Sequence, residues 1–281
     1  MSDRAGGEAA GGETAGGEAA GGETALTDSD VAVFGTSGWL SLQQATTPDE
    51  LDWLGGIYDE LFESQTGSGA GEFFDLAGVP GGAGPQLLPQ IMDPQLKVPE
   101  LGGTRFYDTA RLVAARLLGV AGDDLAHFSH MILKPARYGH ETPWHQDEAY
   151  WDPYFDHDGV SVWMPLEDAS VESGCMRFIP GSHLGPVRPH RHIHDDPQVH
   201  GLVTDDVDER QAVACPLPAG GISVHHSRMV HYAGPNRTDR PRRAYIHVFS
   251  VPPRRRAAPY ARPWLDMRRF EPPGASREAA E

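Results

Sequence analysis

The segment 220–251, GGISVHHSRMVHYAGPNRTDRPRRAYIHVFSV, contains two β-like runs separated by a stretch rich in turn residues. Five similar short runs precede it: FSHMILK (128–134), PWHQDEAYW (143–151), GVSVWMPLE (159–167), GCMRFIPGS (174–182) and AVACPL (212–217). Short strands joined only by loops are typical of sandwich and barrel folds. The pattern therefore predicts a mainly β domain with flanking α-helices, built as a double-stranded β-helix, the cupin-like jelly roll.

Two helices and one further strand are predicted before these runs. Residues 46–62, TTPDELDWLGGIYDELF, place Thr47 as the N-cap and Pro48 at the first helical position. A second amphipathic helix is expected from Arg105 to Leu118, where Gly119 can end it. The additional strand is expected around Trp39 to Leu42.

The predicted domain covers residues 31–263, between two tails. Residues 6–15, GGEAAGGETA, are repeated without change at 16–25, and such a tract has few apolar side chains to offset its ordering entropy. We therefore expect residues 1–30 to be a disordered Gly/Glu/Ala-rich tail and residues 264–281 to be an irregular C-terminal tail. No role is predicted for either.

A Gly- and Pro-rich stretch at residues 66–95 is long for a loop inside a compact domain. Its scattered aromatic and aliphatic residues favour a segment that covers a site. A second candidate lid lies at residues 190–200, where His190, His192 and His194 alternate. That segment also fits a metal site or an exposed, solvated loop, and its Pro, Arg and Asp content favours the exposed loop.

Composition limits the classes of partner. The net charge of −17 argues against binding to nucleic acid or to anionic membrane surfaces. No apolar run approaches the roughly 18 residues that a membrane-spanning helix needs, and the N-terminus does not resemble a signal peptide. Two cysteines, Cys175 and Cys215, are too few for a disulfide framework, so we expect a cytoplasmic protein with buried thiols. Nothing in the sequence indicates an oligomeric state.

A metal and co-substrate site is indicated by four residues. His145 and Asp147 are two residues apart, and His231 and Arg242 lie further along the chain. Two imidazoles and one carboxylate can hold a non-haem Fe(II) on one face and leave positions open for O2 and a co-substrate. We expect His145 and Asp147 to share one face of a strand. Arg242, eleven residues after His231, can pair with the far carboxylate of a chelating keto acid.

The third ligand has two competitors, His225 and His226, which are adjacent on a predicted strand and must face opposite ways. Position favours His231, because Arg242 follows it. Arg242 alternates with apolar residues on its strand, which predicts an inward direction, whereas Arg243 should face outward. A buried arginine needs an anion, either a bound carboxylate or an acidic side chain.

These motifs resemble the phytanoyl-CoA dioxygenase family of Fe(II)- and 2-oxoglutarate-dependent oxygenases. The matching stretches are ILKPARYGHETPWHQDEAYW (132–151), VWMPLEDASVESGCMRFIPGSH (162–183) and HHSRMVHYAGPNRTDRPRRA (225–244). The resemblance implies iron binding by His145, Asp147 and His231, and 2-oxoglutarate binding by Arg242. It also places Trp163, Gln146 and His130 near the co-substrate.

The resemblance further implies hydroxylation of a C–H bond in a small or medium organic molecule, such as a secondary metabolite or its precursor. O2 is consumed and 2-oxoglutarate is decarboxylated to succinate. Two alternatives remain open: the same cofactors with desaturation, epimerisation or cyclisation, and a non-catalytic metal- or ligand-binding jelly roll. One departure stands out, because several family members carry a co-substrate-binding serine where this chain has Ala233. His225, His226 or Asn236 would have to replace its hydrogen bond.

Overall fold

The computed structural model describes residues 26–78 and 85–268. The duplicated N-terminal tract and most of the predicted C-terminal tail lie outside the described residues. The helices are α1 (Asp28–Ser37), α2 (Pro48–Glu63), α3 (Arg105–Leu118) and α4 (Pro263–Met267). The strands are β1 (Trp39–Leu42), β2 (Phe73–Asp75), β3 (Pro89–Met92), β4 (Ala126–Lys134), β5 (Thr142–His145), β6 (Phe155–Asp156), β7 (Gly159–Pro165), β8 (Met176–Phe178), β9 (Arg191–His192), β10 (Leu202–Val203), β11 (Val213–Cys215), β12 (Ile222–His226), β13 (His231–Ala233), β14 (Arg242–Ser250) and β15 (Arg254–Arg255).

The described residues form two main antiparallel sheets and two small two-stranded ones, β10-β9 and β15-β6. The larger has seven strands in the order β1-β12-β7-β14-β4-β3-β2, and the smaller has four in the order β11-β8-β13-β5. One apolar cluster, which includes Phe106 and Tyr245, packs the helices on the larger sheet, and a second cluster with Trp163, Phe178 and Ile246 lies between the sheets. The predicted mainly β jelly roll is confirmed.

Local sequence signals set the two predicted helices. Thr47 accepts a hydrogen bond from the backbone N–H of Glu50 at 3.2 Å and thus caps α2, a contact typically worth about 1 kcal/mol. α3 ends at Gly119, which has a φ of 69° in the left-handed region. Both cysteines are buried as predicted, and they are free thiols. No helix within the described residues is long and apolar enough to cross a membrane.

Several elements differ from the expectations. α1 begins at Asp28, inside the range expected to be tail, because Thr27 and Asp30 form a reciprocal capping box. The stretch 66–95 is not only a loop, since β2 and β3 extend the larger sheet from it. β5 ends at His145, and Asp147 opens a 3-10 turn, so the expectation of one strand carrying both residues is wrong.

The two faces of β14 are both covered. Arg242 is only 2% exposed and faces the space between the sheets. Arg243 faces the other way, where it lies under α2 and donates to Glu167 and to Asp59 at 2.8 Å. The predicted alternation of direction is therefore observed, although Arg243 is partly buried under a helix instead of standing in solvent.

Candidate active site

Three side chains converge between the sheets. His145, the last residue of β5, is paired in register with His231, the first residue of β13. Asp147 lies on the turn that follows β5, and its Oδ1 is 3.6 Å from His145 Nε2 and 3.5 Å from His231 Nε2. The three possible ligand atoms all lie within 4.8 Å of one another.

Each imidazole is oriented by a backbone carbonyl. His145 Nδ1 lies 2.7 Å from the oxygen of Pro143, and His231 Nδ1 lies 2.9 Å from the oxygen of Met229. A carbonyl oxygen can accept a hydrogen bond but cannot donate one, so each Nδ1 carries the N–H and each Nε2 keeps its lone pair. Both lone pairs are therefore directed at the Asp147 carboxylate.

The charge state of the cluster favours a cation. Burial lowers the pKa of His231 well below its ordinary value, and the nearby His145 and His225 lower it further. Three acceptor atoms thus face one another, and a metal ion fits between them. Two imidazoles and one carboxylate with open positions are the ligand set of non-haem Fe(II) oxygenases.

Arg242 lines the same cavity as these three side chains. Its guanidinium carbon lies 5.3 Å from the centre of the Trp163 ring, and its Nε and Nη1 are buried without a hydrogen-bond partner in the described structure. Burial lowers the pKa of Arg242 to about 10, so the group remains charged at neutral pH. No carboxylate of the described residues is within 4.0 Å of it. A buried cation with unpaired donors fits a bound carboxylate such as that of 2-oxoglutarate.

The cavity has a volume of about 250 Å³. Beyond the metal-binding cluster and Arg242, its wall combines apolar and aromatic side chains with several uncharged polar ones and histidines. The lining includes Leu76, Gln90, Met92, Phe128, His130, Tyr150, Trp151, Trp163, His200 and Ala233. Both candidate cover segments therefore contribute: Leu76, Gln90 and Met92 come from 66–95, and His200 comes from 190–200.

The structure separates the three remaining predicted co-substrate residues. Trp163 and His130 line the cavity, and burial lowers the pKa of His130 to about 4. The side chain of Gln146 does not line it. Instead, its amide accepts from Arg188 N at 2.8 Å and donates to Arg228 O at 2.7 Å, which ties together two loops behind the metal cluster.

Of the three groups considered as substitutes for the missing serine, only His225 reaches the cavity, where Ala233 also lies. His226 faces the opposite way, with its Nε2 at 3.2 Å from Asp158. The Asn236 amide is used in its own turn, where it donates to Arg240 O at 2.7 Å.

The histidines at 190–194 do not form a metal site. His190 and His192 are buried, so the expectation of an exposed loop is wrong for them and correct only for His194. His190 Nε2 accepts from Gln146 N at 3.2 Å, and His192 lies between the carbonyls of Val199 and Trp264. These contacts pack the segment against the turn that carries Asp147.

The sequence did not predict the clamp, which is the set of buried contacts that Arg262 and Trp264 make with the turn of Asp147. Arg262 donates to Glu148 Oε1 at 2.8 Å, and this ion pair is almost fully buried. Trp264 Nε1 donates to Ala149 O at 2.9 Å. Glu148 and Ala149 belong to the turn of Asp147. The contacts of residues 262–264 therefore hold this turn, and with it the Asp147 carboxylate, in place. The only indication in the sequence is that an acidic residue, Glu148, directly follows Asp147. That feature is too common to predict a buried ion pair.

Comparisons with known proteins agree with this geometry. The Phytanoyl-CoA dioxygenase family model matches residues 90–244, more than half of the chain. A crystal structure of EvdO2 from Micromonospora carbonacea var. aurantiaca complexed with 2-oxoglutarate is 45% identical, with a TM-score of 0.75, and the match covers 85% of this chain and 96% of that one.

Two further relatives are more distant. A probable alpha-ketoglutarate-dependent hypophosphite dioxygenase of Stutzerimonas stutzeri is 32% identical over 114 residues, 39% of each chain. The aligned stretch thus spans about two fifths of the length of the curated relatives. The epimerase SnoN, solved with Fe3+, alpha ketoglutarate and nogalamycin RO, shares the fold at 24% identity, with a TM-score of 0.61 over 78% of this chain and 81% of that one. The chain belongs to the phytanoyl-CoA dioxygenase family of Fe(II)- and 2-oxoglutarate-dependent oxygenases.

Proposed function

We propose that this protein is a hydroxylase that acts on a C–H bond of a small or medium organic molecule. In the net reaction one oxygen atom of O2 enters the substrate and the other enters succinate, while 2-oxoglutarate loses carbon dioxide. The observation that carries the proposal is the combination, on one cavity, of the His145–Asp147–His231 cluster and the unpaired Arg242.

Each of these residues has a defined task in the proposal. His145, Asp147 and His231 would hold Fe(II), which supplies O2 activation when bound. Arg242 binds the far carboxylate of 2-oxoglutarate, and Trp163 packs against its guanidinium. A bare metal-binding module has no need of a buried cation beside its ligands, so Arg242 supports the oxygenase over the non-catalytic alternative.

The remaining cavity wall supports an uncharged or weakly polar substrate. Phe128, Tyr150 and Trp151 are half-buried and give the accessible part of the cavity aromatic surfaces. Arg242 is the only arginine or lysine among the described residues that line the cavity, and in the proposal the co-substrate uses it. A small organic molecule that packs against aromatic rings therefore suits the site better than an acyl-CoA.

The test starts with anaerobic addition of Fe(II) and 2-oxoglutarate to the apoprotein. We expect a weak visible charge-transfer band in the wild type. Arg242→Ala should need far more 2-oxoglutarate, because it lacks the partner of the far carboxylate, a loss typically of about 2–5 kcal/mol for a buried charge pair. Arg243→Ala is the matched control, since Arg243 faces α2. A wild type that binds the metal but gives no band contradicts the proposal.

Substrates can then be screened by succinate release, with the product identified by mass spectrometry. Gain of one oxygen atom supports hydroxylation. Loss of two hydrogens indicates desaturation or ring closure, and unchanged mass with altered stereochemistry indicates epimerisation. Either of these last outcomes keeps the cofactors and replaces the reaction.

A further inference from the structure

The second oxygen of Asp147 has two donors of its own. Ser161 Oγ donates to Asp147 Oδ2 at 2.6 Å, and His225 Nε2 lies 3.2 Å from the same atom. Oδ1, by contrast, faces His145 and His231. The two oxygens of one carboxylate are thus assigned to different neighbours, one to the metal-binding imidazoles and one to the sheet.

Both donors come from the larger sheet as a directly opposed cross-strand pair. Ser161 on β7 and His225 on β12 are register partners, so their side chains leave the same face of the sheet side by side. Both strands are fully buried. The donors therefore stand on fully buried, paired strands, whereas Asp147 itself stands on a 3-10 turn.

The surroundings of His225 give its imidazole no other hydrogen-bond partner in the described structure than Asp147 Oδ2. Its ring packs between Phe178 and His231, at centroid distances of 5.5 and 4.2 Å, where an apolar ring would also fit. Its Nδ1 is buried and has no partner in the described structure. An unpaired buried nitrogen is a cost that phenylalanine would avoid. The hydrogen bond of Nε2 to Asp147 is the feature that offsets this cost.

We propose that Ser161 and His225 are positioning residues that occupy Oδ2 of Asp147 and leave only Oδ1 for the metal. A carboxylate bound through both oxygens would take one more position on the metal. Holding Oδ2 away preserves the positions that O2 and the co-substrate require. This inference relies on the proposed function for the identity of the metal ligands, and it gives Ser161 and His225 the task of orienting Asp147.

The test compares metal binding by apoprotein variants without 2-oxoglutarate. Ser161→Ala and His225→Phe should each weaken Fe(II) binding by about 10- to 100-fold, the usual cost of losing a partner that orients a ligand. Co(II) is the spectroscopic probe, because its visible bands report coordination number. The bands should change in both variants as Asp147 becomes free to bind through both oxygens. His225→Gln keeps an N–H donor and should recover most of the affinity and the wild-type bands.

His226→Phe is the matched control. His226 is the next residue on β12, is also buried, and faces away from the cavity toward Asp158. Its substitution should leave both affinity and Co(II) bands unchanged. The inference is overturned if Ser161→Ala and His225→Phe bind metal as the wild type does, or if His226→Phe loses as much affinity as His225→Phe. A wild type that binds no metal overturns the proposed function instead.

Discussion

Two sets of histidines make the same contact with the local backbone but have different roles. One set is His145 and His231 in the cavity, and the other is represented by His190 behind it. In the cavity, the Nδ1 atoms of His145 and His231 each face the carbonyl two residues earlier in the chain, at 2.7 and 2.9 Å. His190, in the segment behind the cavity, does the same with Arg188 O at 2.7 Å. All three imidazoles therefore present Nε2 as an acceptor.

The difference lies in what meets that nitrogen. The Nε2 atoms of His145 and His231 meet the acceptor Oδ1 of Asp147, whereas His190 Nε2 meets the backbone N–H of Gln146. A donor satisfies the imidazole and makes it a structural residue, but an acceptor leaves a place for a cation. The partner of the second nitrogen, and not the number or spacing of histidines, thus distinguishes the two groups.

The largest expected effect separates the two groups directly. Asp147→Ala should abolish equimolar Fe(II) binding, because the histidines then lack their anionic partner. The loss should exceed the roughly 10–100-fold cost of removing an orienting residue. His190→Ala should retain equimolar binding, since its Nε2 is already occupied. Anaerobic metal titration measures both, and loss of stoichiometric iron from His190→Ala would break the comparison.

A smaller effect is expected at the clamp that joins the two groups. Trp264 contacts His192 through its carbonyl and Ala149 through its indole N–H. Arg262→Met leaves the buried Glu148 with only the longer contact to Arg228, at 3.6 Å, so the free energy of unfolding should fall by up to about 3–5 kcal/mol.

Urea denaturation measures this change, and Arg254→Ala is the control. Arg254 forms an exposed pair with Asp156, and surface pairs contribute only about 0–1 kcal/mol. If the two substitutions cost the same, the buried pair does not fasten the turn.

The third expected effect is a pH dependence of the free energy of unfolding that is caused by His190. Burial lowers the pKa of His190 to about 4 from 6.5, with opposition from the Arg188 carbonyl. The unfolded chain therefore takes up the proton first as pH falls. The contribution of neutral His190 is complete above pH 6.5 and is lost between 6.5 and about 4, by up to roughly 3 kcal/mol.

His190→Gln has no titratable ring, so its stability should fall less steeply over this interval than that of the wild type. Other buried histidines are common to both proteins and do not affect the difference. Urea midpoints of the apoproteins across the interval measure it. Parallel pH curves would mean that His190 does not titrate as a buried neutral imidazole.

Much of the fold and the centre of the site could be predicted from short-range patterns. Thr47 and Pro48 start α2 through capping chemistry, and Gly119 ends α3 through its left-handed backbone, so their neighbours along the chain suffice. The direction of Arg242 follows from strand alternation. The motif residues His145, Asp147 and His231 do meet in one cluster, although Asp147 does so from a turn and not from the expected strand.

The rest depends on contacts between distant parts of the chain. Nothing near Gln146 indicates that its side chain faces the loop at Arg188 instead of the cavity. β2 and β3 are three and four residues long, too short to show a period within a Gly-rich stretch. The pairing of Ser161 with His225 requires the register of β7 and β12, which no local pattern records.

The clamp also has a consequence for the order in which the protein is made. Glu148 and Arg262 are 114 positions apart. Ribosomes deliver the N-terminal part first, so the turn of Asp147 emerges well before its fastener. A nascent chain that has passed β14 already contains every candidate ligand and Arg242, yet the aspartate's turn is still unfastened. The buried contacts that hold this turn can therefore form only after residues 262–264 have been synthesised.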